Sequence, residues 1–132
     1  MLDSLVNGEI SDRVSVADRG LQYGDGLFET MAVFNGQPRF WQGHMDRLRE
    51  GCERLGIPVP PQALLLREVQ TVSAGRQSCV VKIILTRGTA GRGYAPRSPP
   101  EAERNVSAHP RPVEPGPQGD TRNRHRKSDI RQ

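Results

Sequence analysis

An α/β domain of the α+β kind is predicted over residues 1–95, followed by a Pro/Arg-rich, disordered tail over residues 96–132. Three observations predict it. Two Asn-Gly pairs sit between short apolar runs, two segments carry apolar residues at helical spacing, and residues 79–85 form a β-branched run. The boundary comes from composition. All six aromatics lie before residue 95, seven of the 11 prolines fall in residues 96–117, and no Leu, Phe, Tyr or Trp follows Tyr94. The net charge of +4 divides the same way: residues 1–96 carry +1 and residues 97–132 carry +3. A tail so poor in apolar side chains cannot offset its ordering entropy by burial.

The elements follow in order. Ser4 to Val6 and Glu9-Ile10 flank Asn7-Gly8, a two-residue hairpin signal. Residues 17–26 read as a loop, and Leu27 to Phe34 reads as a strand. Asn35-Gly36 turns the chain again, and Pro38 suits an edge strand. Trp41, Met45, Leu48, Cys52 and Leu55 recur at spacings of four and three, which predicts a helix over 41–55 that Gly56 and Pro58 stop. A second helix is predicted from about Pro61 to Gly75, with Leu65, Val69 and Val72 on its core face. Cys79 to Leu85 reads as a central strand buried on both faces, interrupted by Lys82. Asn105 to Ala108 has the pattern of a weak strand inside the tail.

Several function classes lose support at this stage. Two cysteines in apolar segments read as buried thiols rather than a disulfide scaffold. No stretch has the length of a membrane span, and the N-terminus lacks the pattern of a signal peptide, so the cytoplasm is the expected compartment. His, Cys and carboxylates do not recur at metal-ligand spacing, so no metal is assigned. Gly24-Asp25-Gly26 and the Arg87 to Tyr94 loop lack dinucleotide and P-loop spacing and read as tight turns. Glycine also lets a backbone approach a ligand, and Arg87 and Arg92 have the fork that grips carboxylates; solvated arginines on a turn are the alternative. His44 and Arg47 lie one helical turn apart and can face one ligand together. The tail is basic but lacks interleaved aromatics, so a nucleic-acid partner is not favoured.

Three segments together resemble the fold-type IV (class IV) pyridoxal-phosphate enzymes. They are Asp18 to Thr30 (DRGLQYGDGLFET), His44 to Leu48 (HMDRL) and Lys82 to Tyr94 (KIILTRGTAGRGY). Within that group the first and third runs look most like the aminodeoxychorismate lyases, with branched-chain and D-amino-acid aminotransferases as the nearest relatives. The resemblance covers residues 1 to about 95, reaching at most Pro110. It implies a small N-terminal domain of the D-amino-acid-aminotransferase-like fold, a small-molecule substrate and a homodimer. It implies pyridoxal 5'-phosphate as cofactor, with its phosphate on Arg47. It also implies substrate-facing positions for Tyr23, Phe28, Arg87, Arg92 and Tyr94.

The same resemblance sets a limit. The cofactor of this family acts after joining a lysine as a Schiff base. Only Lys82 and Lys127 are present. Lys82 matches a non-catalytic family lysine, and Lys127 has cationic neighbours and nothing apolar around it. No catalytic residue is therefore assigned, and this chain alone is a poor candidate to hold the cofactor. The expectation is a lyase relative, converting 4-amino-4-deoxychorismate to 4-aminobenzoate and pyruvate in folate biosynthesis, truncated before its lysine and inactive alone. A fragment of a class IV aminotransferase, or a non-catalytic interaction protein with a nucleic-acid-binding tail, are the alternatives.

Overall fold

The computed structural model describes residues 3–89 and 102–111. The chain opens with strands β1 (Ser4–Val6) and β2 (Glu9–Ile10) and a short helix α1 (Arg19–Tyr23). Strands β3 (Gly26–Phe34) and β4 (Gln37–Pro38) follow, then helices α2 (Trp41–Leu55) and α3 (Gln62–Ser73). Strands β5 (Ser78–Thr86) and β6 (Glu103–Pro110) complete the described elements. The strands form one sheet in the order β2-β1-β6-β5-β3-β4, and each neighbouring pair is antiparallel.

The turns are where the sequence puts them, because Asn and Gly accept the left-handed backbone a tight hairpin needs. Asn7 and Gly8 have φ of 54° and 86°; Asn35 and Gly36 have 49° and 79°. Pro38 lies on the edge strand β4, where a missing N–H costs no ladder bond. Helix α2 spans the predicted residues, and Gly56 closes it at φ 71° with its N–H on the carbonyls of Cys52 and Glu53. Helix α3 begins after Pro61 and ends at Ser73.

One face of the sheet carries both long helices. Met31, Val33, Val81, Ile83, Leu85 and Val106 point to that face and pack on Met45, Leu48 and Cys52 of α2 and Leu65, Val69 and Val72 of α3. A fully buried aliphatic side chain contributes roughly 1.5–3 kcal/mol, so this layer holds the domain together. Cys52 and Cys79 are both buried and free. Burial pushes the Cys52 thiol up to about 11, with help from the nearby Glu53, and pushes Cys79 upward too.

Three expectations change. Residues 103–110 are not tail: β6 lies between β1 and β5, with Val106 and Ala108 buried. Its composition hid it because an inward position is Arg104, which Glu68 of α3 neutralises through Nη2 at 2.8 Å. Residues 19–23 are helical rather than loop; Asp18 caps α1 by accepting from the Leu21 N–H, and Gly24 ends it at φ 68°. Strand β5 is central but covered on one face only: Cys79, Val81, Ile83 and Leu85 are buried while Val80, Lys82 and Ile84 are half-exposed. Both long helices pack on the other face, and the short α1 meets this one at its Thr86 end, so the rest of that second row stays open. Residues 96–101 and 112–132 of the expected tail lie outside the described residues. Among the described residues, no helix is long and apolar enough to cross a membrane.

Candidate cofactor and substrate site

Strand alternation separates the chemistry of β3 and β5 into two surfaces. Consecutive side chains leave a strand on opposite faces. Glu29 pairs in register with Ile83 and turns to the helix face; Phe28 pairs with Ile84, and Thr30 with Lys82, on the open face.

On the helix face Glu29 meets two residues of α2. Arg47 donates from Nε to Glu29 Oε2 and from Nη2 to Oε1, both at 3.0 Å. His44 donates from Nδ1 to Oε1 at 2.6 Å. The three-residue spacing of His44 and Arg47 places both on one side of the helix, as their spacing predicts. Glu29 is 7% exposed. Burial opposes its ionisation, but the hydrogen bonds from His44 and Arg47, reinforced by the charge of Arg47, outweigh it and hold the carboxyl below its usual range. Glu29 in turn raises the pKa of Arg47. The Arg47 side chain is still 50% exposed, and its Nη1 has no partner among the described residues.

On the open face a cleft of about 440 Å³ is lined by Phe28, Lys82, Ile84, Thr86, Asn105 and, from the preceding segment, Gly20, Leu21, Gly24 and Gly26, among others. Phe28 is 43% exposed, and the Lys82 ammonium stands 4.6 Å from its ring centre. Asn105 Oδ1 is buried there without a hydrogen-bond partner among the described residues.

An ion network fixes the end of the cleft. Arg87 donates from Nε to Asp25 Oδ2 at 2.7 Å and from Nη2 to the Leu55 carbonyl at 2.6 Å. Its Nη1 donates to the Gly56 carbonyl at 3.3 Å. Arg19 reaches the same Asp25 oxygen at 3.0 Å. The hydrogen bond from Arg87, against a smaller burial effect, holds the Asp25 carboxyl below its usual range. Beside this network Thr86 Oγ1 donates to Asp18 Oδ1 at 2.6 Å and accepts from the Gly88 N–H at 3.1 Å.

The sequence-predicted residues therefore separate. Arg47 and His44 come together on Glu29. Phe28 lines the cleft, whereas Tyr23 stands 60% exposed at the end of α1, stacked by Arg19 at 4.7 Å. Arg87 binds Asp25 and the C-terminal carbonyls of α2, so its fork serves the fold at the place where a substrate-facing role was expected. Arg92 and Tyr94 lie outside the described residues. Sequence reasoning gave no role to Glu29, Asp18, Asp25 or Thr86. A lone carboxylate at an inward strand position was the available signal for Glu29.

The residues fit a phosphate better than they fit a whole cofactor. A half-exposed guanidinium whose orientation a carboxylate fixes, with one edge unspent, has the donors that suit a phosphate. Lys82 lies on the opposite face of the sheet from Arg47, so these two cannot serve as covalent and phosphate anchors of one small molecule bound to one face.

Residues 26–131 match the amino-transferase class IV family. The chain is 37% identical over 91 residues to the aminodeoxychorismate lyase of Vibrio harveyi, a match covering 69% of this chain and 34% of that protein. It superposes on the crystal structure of the 4-amino-4-deoxychorismate lyase of Pseudomonas aeruginosa with a TM-score of 0.73 and 46% identity, over 85% of this chain and 41% of that one. The branched-chain amino acid aminotransferase of Escherichia coli shares the fold at a TM-score of 0.71 and 21% identity, over 87% of this chain and 41% of that one. Another branched-chain aminotransferase of the same fold is solved with pyridoxamine 5'-phosphate. The chain thus spans about a third of the length of the curated lyase it matches. With the family match extending over most of its residues, the chain belongs to the class IV aminotransferases.

Proposed function

We propose that the chain is the small-domain portion of a pyridoxal 5'-phosphate enzyme of the aminodeoxychorismate lyase type, acting on 4-amino-4-deoxychorismate to give 4-aminobenzoate and pyruvate. The observation that carries this reading is the 46% identity to the Pseudomonas aeruginosa lyase over 85% of the chain, more than twice the 21% found with an aminotransferase of nearly equal structural similarity. Arg47 is the residue that takes the cofactor phosphate. Phe28 supplies apolar surface to the substrate side, and Asp25, Arg19 and Arg87 brace the segment that leads into β3. Pyridoxal phosphate, when bound, would supply an electron sink for loss of the proton from the carbon that bears the substrate amine.

Lys82 does not serve as the covalent lysine in this reading, because it shares no face with Arg47 and its ammonium is held over Phe28. Lys127 lies between Arg126 and Ser128 in a basic stretch poor in the apolar side chains that desolvate a reactive lysine. These 132 residues by themselves are accordingly proposed to release no pyruvate. Homodimer formation belongs to the same proposal; sedimentation as a monomer at every concentration counts against it.

The test is borohydride reduction of the chain mixed with pyridoxal phosphate, followed by peptide mapping, beside an assay of pyruvate release from 4-amino-4-deoxychorismate. The expected result is no single modified lysine and no pyruvate. A pyridoxyl group fixed specifically on Lys82, with pyruvate released, overturns the account of the two faces. Keto acid formation from D-alanine or a branched-chain amino acid, in place of pyruvate release, turns the assignment to an aminotransferase.

A further inference from the structure

Glu29 does something for Arg47 that composition and spacing do not reveal. An arginine on the first half of a helix has several rotatable bonds and would ordinarily sweep a wide arc of solvent. Here two of its nitrogens are tied to one buried carboxylate, Nε to Oε2 and Nη2 to Oε1, each at 3.0 Å. A two-point contact fixes the plane of the guanidinium as well as its position. That carboxylate is itself immobilised: it sits in the middle of the β3–β5 ladder, 7% exposed, and takes a third hydrogen bond from His44 Nδ1 at 2.6 Å.

We infer that Glu29 is a positioning residue, which holds the Arg47 guanidinium in the plane that presents Nη1 to the phosphate of the bound cofactor. This rests on the reading above in which Arg47 takes that phosphate. The arrangement separates two contributions usually mixed in an anion site. Glu29 subtracts attraction, because its negative charge lies beside the cation that meets the phosphate. It adds order, because the ordering entropy of the arginine side chain is met on folding and is not met again on binding. If order decides, any change that releases the fork weakens phosphate binding even when it removes the opposing charge. If charge decides, removing Glu29 strengthens binding. The sign of the effect therefore separates the two.

The experiment titrates the full chain with pyridoxal phosphate and, separately, with inorganic phosphate, by isothermal calorimetry. It compares wild type with Arg47→Ala, Glu29→Asp and Glu29→Gln. Nitrogen relaxation at the Arg47 Nε–H reports side-chain order in the same samples without ligand, and thermal melts confirm folding. Glu29→Asp keeps the charge and withdraws the carboxylate by one methylene; Glu29→Gln keeps the length and removes the charge. Both are expected to raise the mobility of Arg47 and to weaken ligand binding by roughly tenfold, the effect seen when a hydrogen-bonded support of a ligand-holding side chain is lost. Arg47-dependent binding that Glu29→Asp leaves unchanged, or that Glu29→Gln strengthens, overturns the positioning role while the phosphate assignment stands. Wild-type binding that Arg47→Ala does not alter, or no binding at all, overturns the assignment of the phosphate to Arg47 and the inference with it. If Glu29→Gln fails to fold, Glu29→Asp carries the test, since it retains the negative charge beside Arg47.

Discussion

Replacing Gly26 by alanine tests the close approach on which the entrance to β3 depends. Gly26 pairs with Thr86 at the end of the central ladder. A Cβ added there would lie 2.5 Å from the Leu85 carbonyl oxygen and 3.1 Å from Thr86 Cα, both main-chain atoms that no rotamer change can remove. Packed Cβ atoms do not come within 3.0 Å of such neighbours, so β3 and β5 must separate by at least half an ångström at this point. Overpacking of this kind costs about 2 kcal/mol. In a domain of this size 1 kcal/mol lowers the melting temperature by roughly 4–8 °C, so the loss is roughly 8–16 °C. Gly43, inside α2, is the control. Its Cβ would meet nothing within 4 Å, and alanine gains about 0.5–1 kcal/mol in a helix interior. Thermal unfolding followed by circular dichroism on both variants gives the comparison. A Gly26→Ala chain that melts at or above the wild-type temperature refutes the close approach.

Three further outcomes are expected. Thr86→Val removes the hydroxyl that donates to the buried Asp18 carboxylate and accepts from Gly88; a loss of about 1.5–3 kcal/mol in urea unfolding is expected, and an unchanged midpoint contradicts the buried bond. Asp25 and Glu29 both titrate below their usual ranges in the folded chain, so their contributions are complete above the ordinary carboxylate pKa near 4 and disappear as the pH falls through the lowered values. Stability should therefore drop below about pH 4, less steeply in Asp25→Asn than in wild type, and parallel curves for the two would remove Asp25 from the account. Cys52, with its thiol pushed up to about 11, and the buried Cys79 should stay inert to Ellman's reagent in the native chain and react in denaturant; rapid native labelling would place them outside the core.

What the sequence discloses about this fold depends on how local the cause is. The turns at Asn7-Gly8 and Asn35-Gly36 are readable because the positive φ is a property of those residues. Helix α2 is readable because one apolar stripe meets one sheet face, and its stop is a glycine. Strand β6 is not readable in the same way. Only Val106 and Ala108 face the core, and Arg104, at another inward position, depends on Glu68, 36 residues away. Helix α1 had local signals, an aspartate cap and a left-handed glycine, but five residues are too few to show a period. The site follows the same rule. Arg47 stands out as a motif arginine, whereas its partner Glu29 is 18 residues earlier on a strand, and no spacing rule joins a strand carboxylate to a helix one layer above. Arg87 looked available for a ligand because Asp25, Leu55 and Gly56, which take its donors, meet it only when α2 ends beside β5.

The alternation of β3 also constrains any account of the reaction. Phe28 and Glu29 are neighbours in the chain, yet their side chains leave on opposite faces, so the open cleft and the Glu29–Arg47–His44 cluster belong to different surfaces. A molecule that touches both must reach round the end of the sheet where β3 begins. That end is where the chain has removed side-chain bulk, at Gly24 and Gly26, and where it has gathered several side-chain ties, Asp25 to Arg19 and Arg87 and Asp18 to Thr86. Small residues let a ligand approach the backbone, and the ties keep that backbone from collapsing into the space. The glycines and ion pairs of this segment thus answer one requirement: an open but rigid corner between the Glu29–Arg47–His44 cluster on one face and an apolar cleft on the other.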